Sequence, residues 1–209
     1  MKISKYVHSC LLVEEHGTVA LIDPGNYTAQ ANVLDLESIA KLDYLVITHE
    51  HADHMDIPLI KKISVKFPGL QIMSNSSVKS ILEKEGLIVL TGGNEDIALK
   101  EIPHEAVFGV SSPVKNVLAK VFGKLMHPGD SFQFGSSAEI LALPVQAPWG
   151  HLTEAMEKAV QVKPKAVIPI HDWHWNEEAR KNFFERISQY LQQHGIAFYP
   201  LEGDETIEI

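Results

Sequence analysis

The sequence predicts an α/β (α+β) protein in which β-sheets pack in the middle and helices lie outside. Short apolar runs typical of strands alternate along the chain with amphipathic stretches typical of helices. The chain has 209 residues, 45% of them hydrophobic and 22% charged, which is enough for a substantial core. Because no low-complexity linker, repeat or charge block marks a boundary, a single domain over residues 1–209 is expected.

The first half of the chain begins with strand-like segments and continues with helix-like ones. Three strands are predicted over residues 5–15, 18–23 and 43–48, and two helices over residues 57–67 and 76–86. The first two strands would be joined by a turn at His16-Gly17, because glycine favours tight turns. The third is a nearly continuous apolar run, as expected of a strand that is covered on both faces.

The second half of the chain is dominated by strand-like segments. They lie at residues 87–90, 97–102, 117–123, 138–145 and 165–170, and helices are predicted over 153–161 and 177–193. The second of these helices has Asn176 in the N-cap position and Gly195 just beyond its end. Both residues are typical of a helix start and stop.

Composition and charge exclude several function classes. The formal net charge of -9 at pH 7 argues against a broad surface for nucleic acid, although it leaves room for a small basic pocket. No apolar run approaches the ~20 residues that span a bilayer, and residues 1–17 lack the pattern of a signal peptide. A cytoplasmic location is therefore expected, and the single cysteine, Cys10, cannot form an internal disulfide, so no oxidising compartment is implied.

The sequence THEHADH at residues 48–54 concentrates metal-binding side chains directly after the third predicted strand. Because side chains alternate along an extended segment, His49 and His51 point the same way and can reach one ion together. Asp53 and His54 follow on the next turn and can bind a second ion. Nitrogen and carboxylate ligands of this kind suit zinc. The spacing does not match H-E-x-x-H, which excludes a helical zinc-protease site.

This motif resembles the metal loop of the metallo-β-lactamase superfamily, and more narrowly that of its metal-dependent hydrolase branch, which includes ascorbate-6-phosphate lactonase. Other segments are similar as well. HSCLLVEEHGTVALIDPG at 8–25 resembles the opening hairpin, HPGDS at 127–131 the Gly-Asp segment, and VIPIH at 167–171 the terminal strand and histidine. The resemblance implies a four-layer αββα sandwich, with helices outside two mixed β-sheets and metals at one edge between the sheets.

The resemblance also implies a binuclear site. Its ligands would be His49, His51 and His104 for one ion, Asp53, His54 and His171 for the other, and Asp130 as the bridge between them. Two features of the sequence agree with this set. Asp130 follows a glycine, where the backbone can approach an ion closely, and His171 ends an apolar run as His49 does.

The implied activity is that of a metal-dependent hydrolase. Two divalent ions would share a hydroxide that attacks a carbonyl or phosphoryl centre of a small-molecule ester, lactone or phosphodiester. Asp53 and Asp130 would be the catalytic carboxylates, which hold the metal pair and move a proton. Histidine-rich ligands favour Zn2+, whereas a mixed His/Asp site also accepts Mn2+ or iron.

Two other functions stay open on the sequence. One is a phosphodiesterase or nuclease of the same superfamily, which a basic patch of Lys115, Lys120 and Lys124 would support. The other is a non-hydrolytic metal-binding or redox protein. The main hypothesis requires a small-molecule substrate, without nucleic acid or membrane, and it is compatible with a homo-oligomer.

Three further residues are expected close to the metal ligands. Asp23 would orient a ligand histidine through its free ring N–H, with a role as turn former as the alternative. His8 is open between a functional and a structural role, and His127 lies either beside Asp130 or towards solvent. Three tryptophans either wall the substrate pocket or pack in the core: Trp149, Trp173 and Trp175.

Overall fold

The structure is a computed structural model that describes residues 1–109, 114–203 and 205–209. Helices α1 to α5 span Asn26–Ala31, Ile57–Lys66, Ser76–Lys84, Leu152–Val162 and Glu177–Gln193. Strands β1 to β13 span Lys2–Lys5, Leu11–Glu15, Thr18–Ile22, Tyr44–Val46, Gln71–Met73, Val89–Leu90, Ile97–Pro103, Lys115–Val121, Leu125–His127, Ile140–Pro144, Ala166–Ile170, Ala197–Phe198 and Thr206–Glu208. Among the helices of these described ranges, none has the length and apolar character needed to cross a lipid bilayer.

The strands form two mixed sheets. The first sheet has the order β13-β1-β2-β3-β4-β5-β6, with antiparallel pairing from β13 to β3 and parallel pairing from β3 to β6. The second has the order β12-β11-β10-β9-β8-β7, with parallel pairing from β12 to β9 and antiparallel pairing from β9 to β7.

Three apolar clusters hold the layers together. One lies between the two sheets, a second joins α2 and α3 to the outer face of the first sheet, and a third joins α4 and α5 to the second sheet. Each fully buried Leu or Ile side chain contributes roughly 1.5–3 kcal/mol to folding. The result is the four-layer αββα sandwich that the resemblance implied.

Strand β4 shows why its sequence is continuously apolar. Tyr44 and Val46 face the cluster between the sheets, whereas Leu45 faces the helices. Both faces of this central strand are therefore covered, which confirms the prediction for residues 43–48.

Capping side chains define where the predicted helices begin. The Asp56 carboxylate accepts a hydrogen bond from Leu59 N at 2.8 Å at the start of α2, and the Asn176 amide oxygen accepts one from Ala179 N at 2.8 Å at the start of α5. Such caps contribute about 1 kcal/mol each. All four predicted helices are present, with ends within one or two residues of the predicted ones.

The prediction of one strand over residues 5–15 is wrong. Strand β1 already ends at Lys5, and a turn leads from it into the antiparallel strand β2, which begins only at Leu11. His8 adopts a left-handed backbone conformation with φ 61°, and Cys10 N donates to Val7 O at 3.1 Å. Apolar residues continue through this turn, so the pattern of hydrophobic residues does not reveal the reversal.

The direction of the strands determines where the functional residues lie. In the first sheet β1, β3, β4 and β5 run the same way, and in the second β7, β9, β10 and β11 do. The carboxyl ends of these strands meet at one edge of the sandwich. Segments that follow them therefore come together although they are far apart in sequence.

Gly25→Ala is expected to destabilise the fold by about 1–3 kcal/mol. A Cβ at this position would lie 1.8 Å from the carbonyl oxygen of Asp53 and 2.6 Å from His54 N, both of them backbone atoms, so two packed loops would have to separate. Gly69→Ala is the matched control, since a Cβ there meets no described atom within 4 Å. Thermal unfolding measures the difference, and equal melting temperatures for the two variants would contradict the close packing of these loops.

Candidate metal centre

The residues predicted from the sequence to bind or surround metals all lie at this edge of the sandwich. Two groups of residues could each hold a metal ion, because within each group the ligand atoms lie within 4.8 Å of one another. The first group consists of His49, His51, His104 and Asp130, and the second group consists of His8, His54 and His171. Asp53 lies beside the second group. Donor atoms of both groups come from loops that follow strands of both sheets, so the centre bridges the sandwich.

Asp130 stands between the two groups. Its Oδ1 atom lies 3.0 Å from His54 Nε2 and 2.9 Å from His171 Nε2, both in the second group. Its Oδ2 atom lies 3.4 Å from His104 Nε2 and 3.8 Å from His49 Nε2, both in the first group. One carboxylate oxygen thus faces each group.

Several buried polar atoms in the centre are left without a hydrogen bond. Among the described residues, His8 Nδ1, His54 Nε2, His171 Nε2 and Asp130 Oδ1 have no hydrogen-bond partner. Leaving such an atom unsatisfied costs about 1–3 kcal/mol. His54 Nε2 and His171 Nε2 lie 3.0 and 2.9 Å from Asp130 Oδ1, so a divalent cation with a preference for imidazole and carboxylate ligands would satisfy these three atoms together. The residues therefore fit a metal of the zinc class.

Asp53 forms a hydrogen-bonded pair with His8. The two side chains approach at 3.1 Å between Asp53 Oδ2 and His8 Nε2, and the same oxygen lies 4.0 Å from His54 Nε2. Burial, with the nearby His171, lowers the pKa of His8 to about 3, so its imidazole is neutral. Burial opposes ionisation of Asp53, but the hydrogen bond from His8 and the electrostatic effect of His54 and His8 together outweigh it and hold the pKa of Asp53 below its ordinary value.

Asp23 is fully buried and connects two loops of the first sheet. Its carboxylate accepts hydrogen bonds from Thr48 N at 2.7 Å and Thr48 Oγ1 at 2.6 Å, and it lies 2.7 Å from His54 Nδ1. A proton on His54 Nδ1 leaves Nε2 to face Asp130, which is the orientation that a metal ligand needs. The position matches the predicted orienting role of Asp23.

His127 is buried and does not face solvent, which decides between the two predicted positions. Its Nε2 atom donates to Ser9 O at 3.1 Å, and its Nδ1 atom accepts from Gly129 N at 3.2 Å. The ring thereby supports the turn that leads into Asp130. Gly129 itself requires a small residue, because its φ is 59° and a Cβ would lie 2.1 Å from Asn116 Oδ1.

The charges of the centre favour a cation. Burial, with His54 as the next cause, holds the pKa of His49 well below its ordinary value. Burial acts the same way on His54, but the carboxylates of Asp130 and Asp23 outweigh it and hold its pKa well above the ordinary value. Burial likewise opposes ionisation of Asp130, yet the surrounding imidazoles hold its pKa well below the usual range. Asp130 thus stays ionised and attracts positive charge between the groups.

Backbone strain is concentrated in this centre. His8, Asp23 and His171 have φ angles of 61°, 47° and 66°, which lie in the left-handed region. Such conformations cost of the order of 1–3 kcal/mol for residues other than glycine and persist where the surroundings impose them. Here they turn the chain sharply after β1, β3 and β11, which aims the side chains at the centre.

The structure also brings to the centre one residue that the sequence analysis did not assign, and it separates the three tryptophans. That residue is Thr48, the first of the THEHADH motif, whose hydroxyl donates to Asp23. Trp149 borders the centre, and Trp173 stacks on Tyr27 at its rim with ring centroids 5.5 Å apart. Trp175 instead packs against Phe183 of α5. In the sequence all three tryptophans lie near segments with predicted ligands, so sequence proximity does not distinguish the two at the centre from the one in the core.

Comparisons with known proteins identify the family and the fold. A family model described as a beta-lactamase superfamily domain matches residues 2–171. Protein Rv0786c from Mycobacterium tuberculosis is 29% identical, with 90% of this chain and 92% of that protein covered. A UPF0173 metal-dependent hydrolase from Nanoarchaeum equitans is 25% identical, with 100% of both chains covered. The solved structure of Igni18, a novel metallo hydrolase from Ignicoccus hospitalis, has a TM-score of 0.74 at 20% identity and covers 100% of this chain and 98% of its own, a likeness of fold.

Asp23→Asn is expected to weaken metal binding by roughly 10–100-fold, because an amide has one acceptor oxygen and cannot accept from both Thr48 N and His54 Nδ1, which use different oxygens of Asp23. Asp43→Asn is the control: the Asp43 carboxylate also accepts a backbone hydrogen bond, from Val19 N at 2.9 Å, but lies outside the centre. Zinc titration against a competing chelator gives the affinities. An affinity loss no greater than that of the control would contradict the orienting role of Asp23.

Proposed function

Since the chain belongs to the beta-lactamase superfamily and is a metal-dependent hydrolase, we propose that it works with a binuclear centre held by the two histidine groups. The observation that carries this proposal is the position of Asp130, with one carboxylate oxygen facing each group. A carboxylate that served a single ion would not need imidazole nitrogens on both of its sides.

Asp130 and Asp53 would have different roles in hydrolysis. When bound, the ions supply Lewis acidity, which lowers the pKa of water and polarises a carbonyl or phosphoryl oxygen. The buried Asp130, with only 5% of its side chain exposed, holds the two groups in register, because each of its carboxylate oxygens lies beside histidines of one group. Asp53, whose side chain is 29% exposed, reaches the mouth of the centre and is the carboxylate that can take up a proton and pass it to solvent.

The second group can be completed in two ways. Asp53 is the ligand that the resemblance implied, whereas His8 lies with His54 and His171 within 4.8 Å. We favour Asp53 as the ligand, with His8 donating a hydrogen bond to it. Their pairing at 3.1 Å uses His8 Nε2 and leaves Asp53 the second carboxylate oxygen for an ion.

A small-molecule ester, lactone or phosphodiester is the substrate class we propose. The nuclease alternative needs a basic patch, but the three lysines that would form it are separated. Lys115 lies at the edge that carries the centre and bonds Ser76 Oγ at 2.8 Å, whereas Lys120 and Lys124 lie towards the opposite end of β8, where Lys124 is paired with Glu15. Together with the net charge of -9, this separation disfavours long nucleic acid.

Other features of the proposal rest on the sequence. They are the choice of Zn2+ over Mn2+ or iron, the cytoplasmic location, the possibility of a homo-oligomer and a single domain over residues 1–209. The narrower resemblance to ascorbate-6-phosphate lactonase likewise stays a prediction.

Elemental analysis of the purified protein tests the binuclear centre. About two equivalents of divalent metal are expected after zinc loading, falling to one or fewer in His54→Ala and Asp130→Ala, because each change removes a ligand. His194→Ala is the control, since His194 is exposed at the end of α5 and its Nδ1 bonds Tyr190 O of the same helix. Two equivalents in the wild type would justify a screen of esters, lactones and phosphodiesters. Unchanged metal content in the two variants would contradict the proposal.

Asp53→Ala and His8→Ala separate the two ways of completing the second group. Loss of the second equivalent of zinc is expected in Asp53→Ala, because a ligand is gone. In His8→Ala the second equivalent should bind more weakly, by roughly tenfold, because only a hydrogen bond to the ligand is lost. Chelator competition measures both affinities, and the reverse order of effects would make His8 the ligand.

A further inference from the structure

Trp149 is not one of the proposed metal ligands, but its side chain contacts one of them directly. Its indole Nε1–H donates a hydrogen bond of 2.8 Å to Asp130 Oδ2. The ring also lies edge-on to His104, His171 and Phe132, at centroid distances of 6.3, 5.7 and 5.3 Å. Trp149 thus touches the carboxylate between the two groups as well as one histidine of each.

The loop that carries Trp149 is itself held in place. Ala147 and Gly150 exchange backbone hydrogen bonds of 3.1 and 3.3 Å, which closes a tight turn around Trp149. Gly150 packs against the Phe132 ring so closely that a Cβ would lie 2.8 Å from it. The indole is therefore presented to Asp130 by a fixed turn.

The hydrogen bond makes the two oxygens of Asp130 unequal. Oδ2, which faces the first group, receives the indole N–H, whereas Oδ1, which faces the second group, has no hydrogen-bond partner among the described residues. A donor on one oxygen restrains rotation of the carboxylate about its Cβ–Cγ bond. It also withdraws negative charge from that oxygen.

From this asymmetry we propose that Trp149 is a positioning residue of the metal centre. Its N–H keeps the Asp130 carboxylate turned so that one oxygen faces each histidine group, which allows both ions to be held at once. Without this donor the carboxylate is free to turn towards one group, and the second ion to bind loses its bridge. The inference rests on the proposed binuclear function and concerns how the two ions share one ligand.

Trp149→Phe isolates the hydrogen bond. Phenylalanine keeps an aromatic ring beside Phe132 and removes the N–H donor. Trp175→Phe is the matched control, because Trp175 packs on Phe183 and Phe184 with ring centroids 4.7 and 6.1 Å away and does not contact the centre. Trp149→Gln removes the ring but restores an amide N–H donor, so it tests whether the donor or the packing matters.

The measurement is a Zn2+ titration with a competing chelator, which yields two dissociation constants, beside the visible absorbance of the Co2+-loaded protein. In Trp149→Phe the first constant should change by less than about twofold and the second should rise about tenfold, with an altered Co2+ spectrum. Trp175→Phe should match the wild type, and Trp149→Gln should recover part of the second affinity.

Each other outcome overturns the inference. Two ions with unchanged constants in Trp149→Phe would show that the hydrogen bond does not position Asp130, and the proposed function would stand. An equal loss of affinity for both ions in Trp149→Phe, with a lower melting temperature of the metal-free protein, would show that Trp149 only packs against its neighbours. A wild-type protein that holds fewer than two ions would overturn the proposed function and this inference together.

Discussion

The buried charge of Asp130 is the constraint on which the rest of the centre depends. A carboxylate with only 5% of its side chain exposed would cost several kcal/mol if it were isolated. Its backbone is fixed on both sides, with its N–H directed at Asn116 Oδ1 at 3.3 Å and its carbonyl accepting from Glu105 N at 2.9 Å. The Asp130 carboxylate is therefore fixed in position and ionised, so the surrounding groups must supply positive charge.

The fold meets this requirement by bringing the ends of parallel strands together. Buried hydrogen bonds then lock those ends: Asp23 anchors Thr48 and His54, and the Asn75 side-chain amide donates to Thr48 O at 3.0 Å and Lys115 O at 2.9 Å. The last of these contacts joins the two sheets directly beside the centre. The donor atoms are therefore positioned by the rigid sandwich, and the strained turns at the strand ends are held by the same bonds.

The elements that could be predicted from the sequence are those whose burial produces a regular pattern. Strands covered on both faces appear as apolar runs, and the longer helices carry capping residues and an apolar face. The elements that were missed lack such signals. Strands β5 and β9 have three residues each, too few for a period to show, and in α1 Thr28 is the one buried residue, so that helix has no apolar stripe.

A local stretch of sequence indicates the kind of chemistry. THEHADH places four candidate ligands within seven residues after a buried strand, and local alternation suffices to aim His49 and His51 together. His104, Asp130 and His171 entered through resemblance, because no local period relates residues so far apart in the chain. How these distant residues meet follows from the tertiary structure, which sets the oxygen of Asp130 that faces each group, pairs His8 with Asp53 and directs the Trp149 N–H at Asp130. Those contacts depend on how the two sheets stack and on where their strands end. A sequence pattern indicates which residues are buried, but it does not indicate which strand ends become neighbours.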